Sequence, residues 1–80
     1  MPQLSFTYKK RLERTLNRFT ITVMEKINEK DKDTYVKCRA ISNNLSKKMG
    51  KDISPNTQLR LNEQMNRLSD TLDAILISLE

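Results

Sequence analysis

The stretch from Ser54 to Glu80 constrains the fold of this 80-residue chain more than any other. Leu61, Met65, Leu68, Leu72, Ile75 and Leu79 recur at alternating spacings of four and three. That is the seam of a helix packed along its whole length against other helices. Ser54 can cap such a helix with its hydroxyl, and Pro55 at the first helical position gives up an N–H that would be unpaired anyway. The pattern predicts a helix over about 55–79.

This helix is apolar beyond one stripe. Leu59 and Ile77 lie off the seam, Leu76 widens it, and Ala74-Ile75-Leu76-Ile77 is apolar nearly all the way round. A chain of this size buries only a little more than ~60% of the surface exposed by its unfolded form, so its own core is small. The expected cover is a second copy, because two-fold dimers bury a self-complementary patch most simply. On this reading the oligomer or partner interface is Leu61, Met65, Leu68, Leu72, Ile75, Leu76 and Leu79.

Two further helices precede it. Leu12, Leu16, Phe19, Val23 and Ile27 fall within roughly 80° of one another at 100° per residue, predicting helix 1 over about 6–28. The β-branched run Thr20-Ile21-Thr22-Val23 is its weakest point, where a break can occur. Asn28 to Asp33 is polar punctuation, with Asp31 or Asp33 placed to cap the next helix. Its Asp-x-Asp spacing lacks the Gly and terminal Glu of a calcium loop. Helix 2 is expected over about 33–49, with Cys38, Ile41, Leu45 and Met49 inward, Tyr35 at the edge, and Gly50 as its stop. The expected architecture is therefore all-α and a single domain over residues 1–80. It is a small three-helix bundle or helical hairpin with long first and third helices, dimeric through coiled-coil-like packing.

Charge narrows the choice of partner. Residues 1–51 hold 13 Lys/Arg against 5 Asp/Glu, whereas residues 52–80 hold 2 against 5, so the two parts differ in sign. Lys10, Arg11, Arg14 and Arg18, with Lys9 nearby, form a basic stripe opposite the apolar face of helix 1. Arginine binds phosphate bidentately, and phosphate neutralisation gives salt-dependent, mostly sequence-independent affinity. With Lys47, Lys48 and Lys51 these residues are the candidate nucleic-acid contacts. Asp70, Asp73 and Glu80 make the C-terminal end acidic, so nucleic acid is expected at the opposite part of the molecule.

Catalysis is not expected. The chain has no His and one Cys, Cys38, which falls on an apolar stripe and reads as core. A Gly-rich phosphate loop and a convergent carboxylate pair are likewise missing from the pattern, and no cofactor or metal is implied. The longest uninterrupted apolar run, Ala74 to Ile77, is far below the ~20 residues of a membrane span. A single thiol and the want of a signal-type leader make the cytoplasm the expected location.

Residues 40–50, followed by Ile53-Ser54-Pro55-Asn56-Thr57-Gln58-Leu59-Arg60-Leu61, resemble part of a Cro-like helix-turn-helix repressor. The resemblance implies a groove-reading helix 2 with Ser42, Asn43, Asn44, Lys47 and Lys48 near bases and phosphates. The preceding Gln-x-x-Leu-Ala-x-x-x-Gly helix of that family is missing, and helix 3 is longer than the corresponding helix there, so no family is assigned. Two readings stand from sequence. The first is a small non-enzymatic regulator that binds nucleic acid through helix 1 and self-associates through helix 3. The alternative is a modulator of another protein, an inhibitor or adaptor, that captures a helical segment on its apolar surface.

Overall fold

The computed structural model describes residues 3–49 and 53–80. Four helices, not three, follow one another: α1 (Gln3–Asn17), α2 (Ile21–Lys26), α3 (Glu29–Met49) and α4 (Pro55–Ile77), with no strand among the described residues. The all-α expectation holds, and the helix count is corrected. Gly50 and Lys51 lie outside the described residues, as does the side chain of Met49.

The expected long helix 1 breaks at its β-branched run. The N–H of Arg18 is shared between the carbonyls of Arg14 (3.2 Å) and Thr15 (3.1 Å), and that of Phe19 turns to Leu16 (3.1 Å), which tightens and ends α1. Thr20 then takes an extended backbone (φ −71°, ψ 173°), and its hydroxyl accepts from the N–H of Val23 at 3.3 Å. A threonine that caps the next turn competes with helix continuation, and here the cap wins. Asn28 does the same for α3, its Oδ1 accepting from Asp31 N–H at 2.8 Å. Asp31 and Asp33, expected as caps, therefore sit inside α3, where Glu29 and Asp31 offset the positive end of the helix dipole. Ser54 caps α4 as expected, accepting from Thr57 N–H at 3.3 Å, with Pro55 in the first turn. α1 begins at Gln3, earlier than expected, and no Gly or Pro interrupts the sequence from there to Asn17.

One core joins the helices. Leu12, Phe19, Ile27, Cys38, Leu45, Leu61, Met65, Leu72, Ile75 and Leu76 form a single buried cluster, with Tyr8, Leu16, Val23, Met24, Leu68 and Leu79 packed on it. α4 is its spine, lying against both α1 and α3. The molecule is a rod of 40 × 19 × 16 Å. Its radius of gyration is 13.3 Å, against about 12 Å for a rounder domain of this length.

Within one chain, much of the seam expected to form the oligomer or partner interface is already covered. Leu61, Met65, Leu72, Ile75 and Leu76 are buried within the single chain, Leu72 completely, while Leu68 and Leu79 are half-buried against the same core. Of the large residues at the over-apolar end, Ile77 stays well exposed, at 64%, and Ala74 beside it is exposed as well. The physical reason is that α1 and α3 of the same chain pack along α4, with Ile27 buried in the cluster and Val23 and Met24 of α2 partly buried on it.

α3 is also rotated from its expected face. Ser42 is buried in place of Ile41, which is 40% exposed. Tyr35 stacks on Phe19 (centroids 4.8 Å apart, planes at 26°), and this contact turns the inward stripe of α3 towards Tyr35, Cys38, Ser42 and Leu45.

Buried polar groups lie on α1 and α4 as well. Thr15 and Ser69 return their hydroxyls to the carbonyls one turn earlier, at 3.0 and 2.9 Å. Asn62, only 7% exposed, leaves its Oδ1 without a partner. A buried acceptor left unpaired costs about 1–3 kcal/mol. Leucine has the same branching shape, so Asn62→Leu is expected to raise stability by about 1 kcal/mol in urea unfolding. A loss of stability on that substitution would show that Asn62 holds an essential contact.

Candidate nucleic-acid interface

The basic residues picked out from sequence do not share one fate. Arg11 points to α4, where its guanidinium donates to Asp70 (2.8 Å), Asp73 (3.2 Å) and the side-chain oxygen of Asn66. Asp70 and Asp73 are thus not remote from the basic helix, because α1 and α4 pack side by side and a charge gradient along the sequence is not one in space. The carboxylates, led by the hydrogen bond Arg11 donates to Asp70, raise the pKa of Arg11 above its ordinary value. With the carboxylates ionised, a raised cation pKa means stability present below the ordinary arginine value and lost only on titration above it. The contact is therefore constant across the physiological range.

Lys9 lies 4.0 Å from Glu13 one turn on, a weak surface pair. Lys32 and Lys37 are likewise neutralised along α3, by Glu29 at 3.3 Å and Asp33 at 3.1 Å. Arg14, Arg18, Lys47 and Lys48 are exposed and form no ion pair among the described residues. Lys10 is also exposed. Lys10, Arg14 and Arg18 follow at one-turn intervals, a ridge along the outer side of α1. Thr7, Lys10, Arg11 and Arg14 line a shallow recess of about 330 Å³ on this ridge.

A larger groove of about 400 Å³ runs beside it, between α1 and α3. Glu13, Leu16, Asn17 and Phe19 form one wall and Tyr35, Arg39, Ser42, Asn43 and Ser46 the other. Arg39 was missed from sequence, where it stands between Cys38 and Ala40, away from the basic runs of helix 1 and of Lys47 and Lys48. Its signal was the one-turn spacing Tyr35, Arg39, Asn43, Lys47, which forms a ridge on α3. Arg39 is the basic residue among those lining this groove, with Lys47 next to Ser46 at its α3 end, whereas Lys10, Arg11 and Arg14 line the other recess.

Cys38 is buried, and desolvation pushes its thiol pKa up. Among the described residues no three His, Cys, Asp or Glu side chains converge on a metal-sized site. No described helix is long and apolar enough to cross a membrane. No family model matches the chain, and no significant match emerges among curated proteins or solved structures.

Two outcomes follow from this division of roles. Arg11→Gln should cost about 1 kcal/mol or less, reduced further by salt because the pair is partly solvated, whereas Arg14→Gln should lie within about ±0.5 kcal/mol of wild type. Equal effects in chemical unfolding would contradict it. Cys38 should react with a disulfide reagent far more slowly in the native protein than in denaturant; equal rates would place the thiol at the surface.

Proposed function

We propose that this protein is a small non-enzymatic regulator that binds nucleic acid through the outer side of α1, with the lysines at the end of α3 contributing. The observation that carries this reading is the unequal neutralisation of the cations. Carboxylates take up Arg11 on α4 and Lys32 and Lys37 along α3, while Arg14, Arg18, Lys47 and Lys48 remain unpaired among the described residues. Guanidinium and ammonium groups held on a rigid helix and left without counter-charges suit the regularly spaced phosphates of a polynucleotide.

Capture of a partner helix has less in its favour. Among the described residues, the exposed large apolar side chains Ile21, Val36, Ile41, Leu59 and Ile77 are spread over three helices. Leu59 and Ile77 share α4 but stand about 27 Å apart at 1.5 Å per residue, too far for one continuous patch. The residues expected to mediate self-association are already in the core of the chain, so the reading needs no second copy.

Titration with fluorescently labelled 20-mer DNA and RNA, single- and double-stranded, at low and moderate salt tests the proposal. Binding is expected at low salt and should fall steeply as salt rises. Arg14→Glu with Arg18→Glu should abolish it while the helical circular dichroism is retained. Absence of binding at low salt, or binding indifferent to the paired reversal, would overturn the proposal.

A further inference from the structure

The groove between α1 and α3 has features that simple phosphate neutralisation does not use. Its walls are mostly polar, which argues against an apolar helix as occupant. They hold two amides, Asn17 and Asn43, two hydroxyls, Ser42 and Ser46, one guanidinium, Arg39, and one carboxylate, Glu13. At one place the groove is aromatic: half-buried Tyr35 stacks on Phe19 of the opposite wall, which fixes its ring and leaves its other face as the candidate platform. The ridge Lys10, Arg14, Arg18 runs outside one wall, and Lys47 continues the other, one turn beyond Asn43.

We propose that this groove receives one strand of an unpaired nucleic acid, holding a base against Tyr35 and a phosphate on Arg39; the inference rests on the nucleic-acid reading above and narrows it to single strands. Each part of the groove has a counterpart in a nucleotide. An aromatic face that a second ring keeps from turning is a stacking platform, and every base has a π-face to lay on it. Side-chain amides carry both donors and acceptors, matching the edges of an unpaired base. Arg39 has no ion pair among the described residues and offers the forked donor set that phosphate accepts. Glu13 would repel a phosphate but accepts from the exocyclic amino group of a base, so its place in the wall favours bases inward and the backbone along the basic rims.

Size points the same way. A volume of about 400 Å³ lies at the small end of ligand sites, room for about one nucleotide unit. The groove is bounded by two helices that both rest on α4, and a duplex would ride on the rims without reaching Tyr35 or the amides.

The test compares a labelled 12-mer of mixed sequence, as DNA and as RNA, with its own duplex by fluorescence anisotropy at low salt. The single strands should bind more tightly than the duplexes. Arg39→Gln should weaken single-strand binding ~5–10-fold, the scale of one lost charge-assisted phosphate contact, and duplex binding less than ~2-fold. Arg60→Gln, an exposed arginine on α4 outside the groove, should change neither. The chain has no Trp and only two Tyr, so a Tyr8→Phe variant isolates the emission of Tyr35, which single strands should quench and duplexes should not. Duplex binding as tight as single-strand binding, an Arg39→Gln effect no larger than that of Arg60→Gln, or unquenched Tyr35 would overturn the groove assignment. Salt-sensitive binding lost on reversal of Arg14 and Arg18 would then leave the broader proposal standing; no binding to any probe would remove both.

Discussion

Burial of the α4 seam is the constraint on which the rest of the structure depends. Leu72 has no exposed surface, and the cluster around it draws Leu12 from α1, Ile27 from the turn after α2, and Cys38 and Leu45 from α3. A helix with so many apolar positions cannot stand alone in water, because each buried Leu, Ile or Met is worth roughly 1.5–3 kcal/mol relative to exposure. One chain satisfies it by folding two longer helices and one short one around it. The break at Arg18–Thr20 makes this possible, since it lets the residues after Phe19 change direction and meet the C-terminal turns of α4.

That arrangement decides the electrostatics. Packing α1 along α4 sets Arg11 against Asn66, Asp70 and Asp73, so one cation of the basic helix becomes part of the scaffold. Arg14 and Arg18 on the outer side of α1 stay without an ion pair among the described residues, and α3 adds Arg39 and Lys47 on the other side of a polar groove. Fold and proposed function are therefore linked through one helix with three sides: apolar towards the core, ion-paired towards α4, and basic towards solvent.

Much of this was legible in the sequence. The α4 seam and its Ser54 cap with Pro55 are found where periodicity puts them, whereas Leu12, Leu16, Phe19, Val23 and Ile27 all reach the core but from a broken chain and not from one helix face. The break after α1 was legible only as a weak point. Whether Thr20 continues one helix or caps the next depends on small local energies of similar size. The face of α3 was misplaced towards Ile41, since the Phe19–Tyr35 stack that rotates it joins residues on different helices. For the same reason neither Arg11's partners nor the groove around Arg39 could be read from spacing. Both are products of how helices pair, as is the extent to which α1 and α3 cover the α4 seam within one chain.

The most direct test of this account is the thermal unfolding midpoint as a function of protein concentration, followed by circular dichroism over about a hundredfold range. If one chain covers its own seam, folding is unimolecular and the midpoint does not move with concentration. A midpoint that climbs steadily with concentration would contradict the account, since a fold that depends on a second copy is stabilised by mass action.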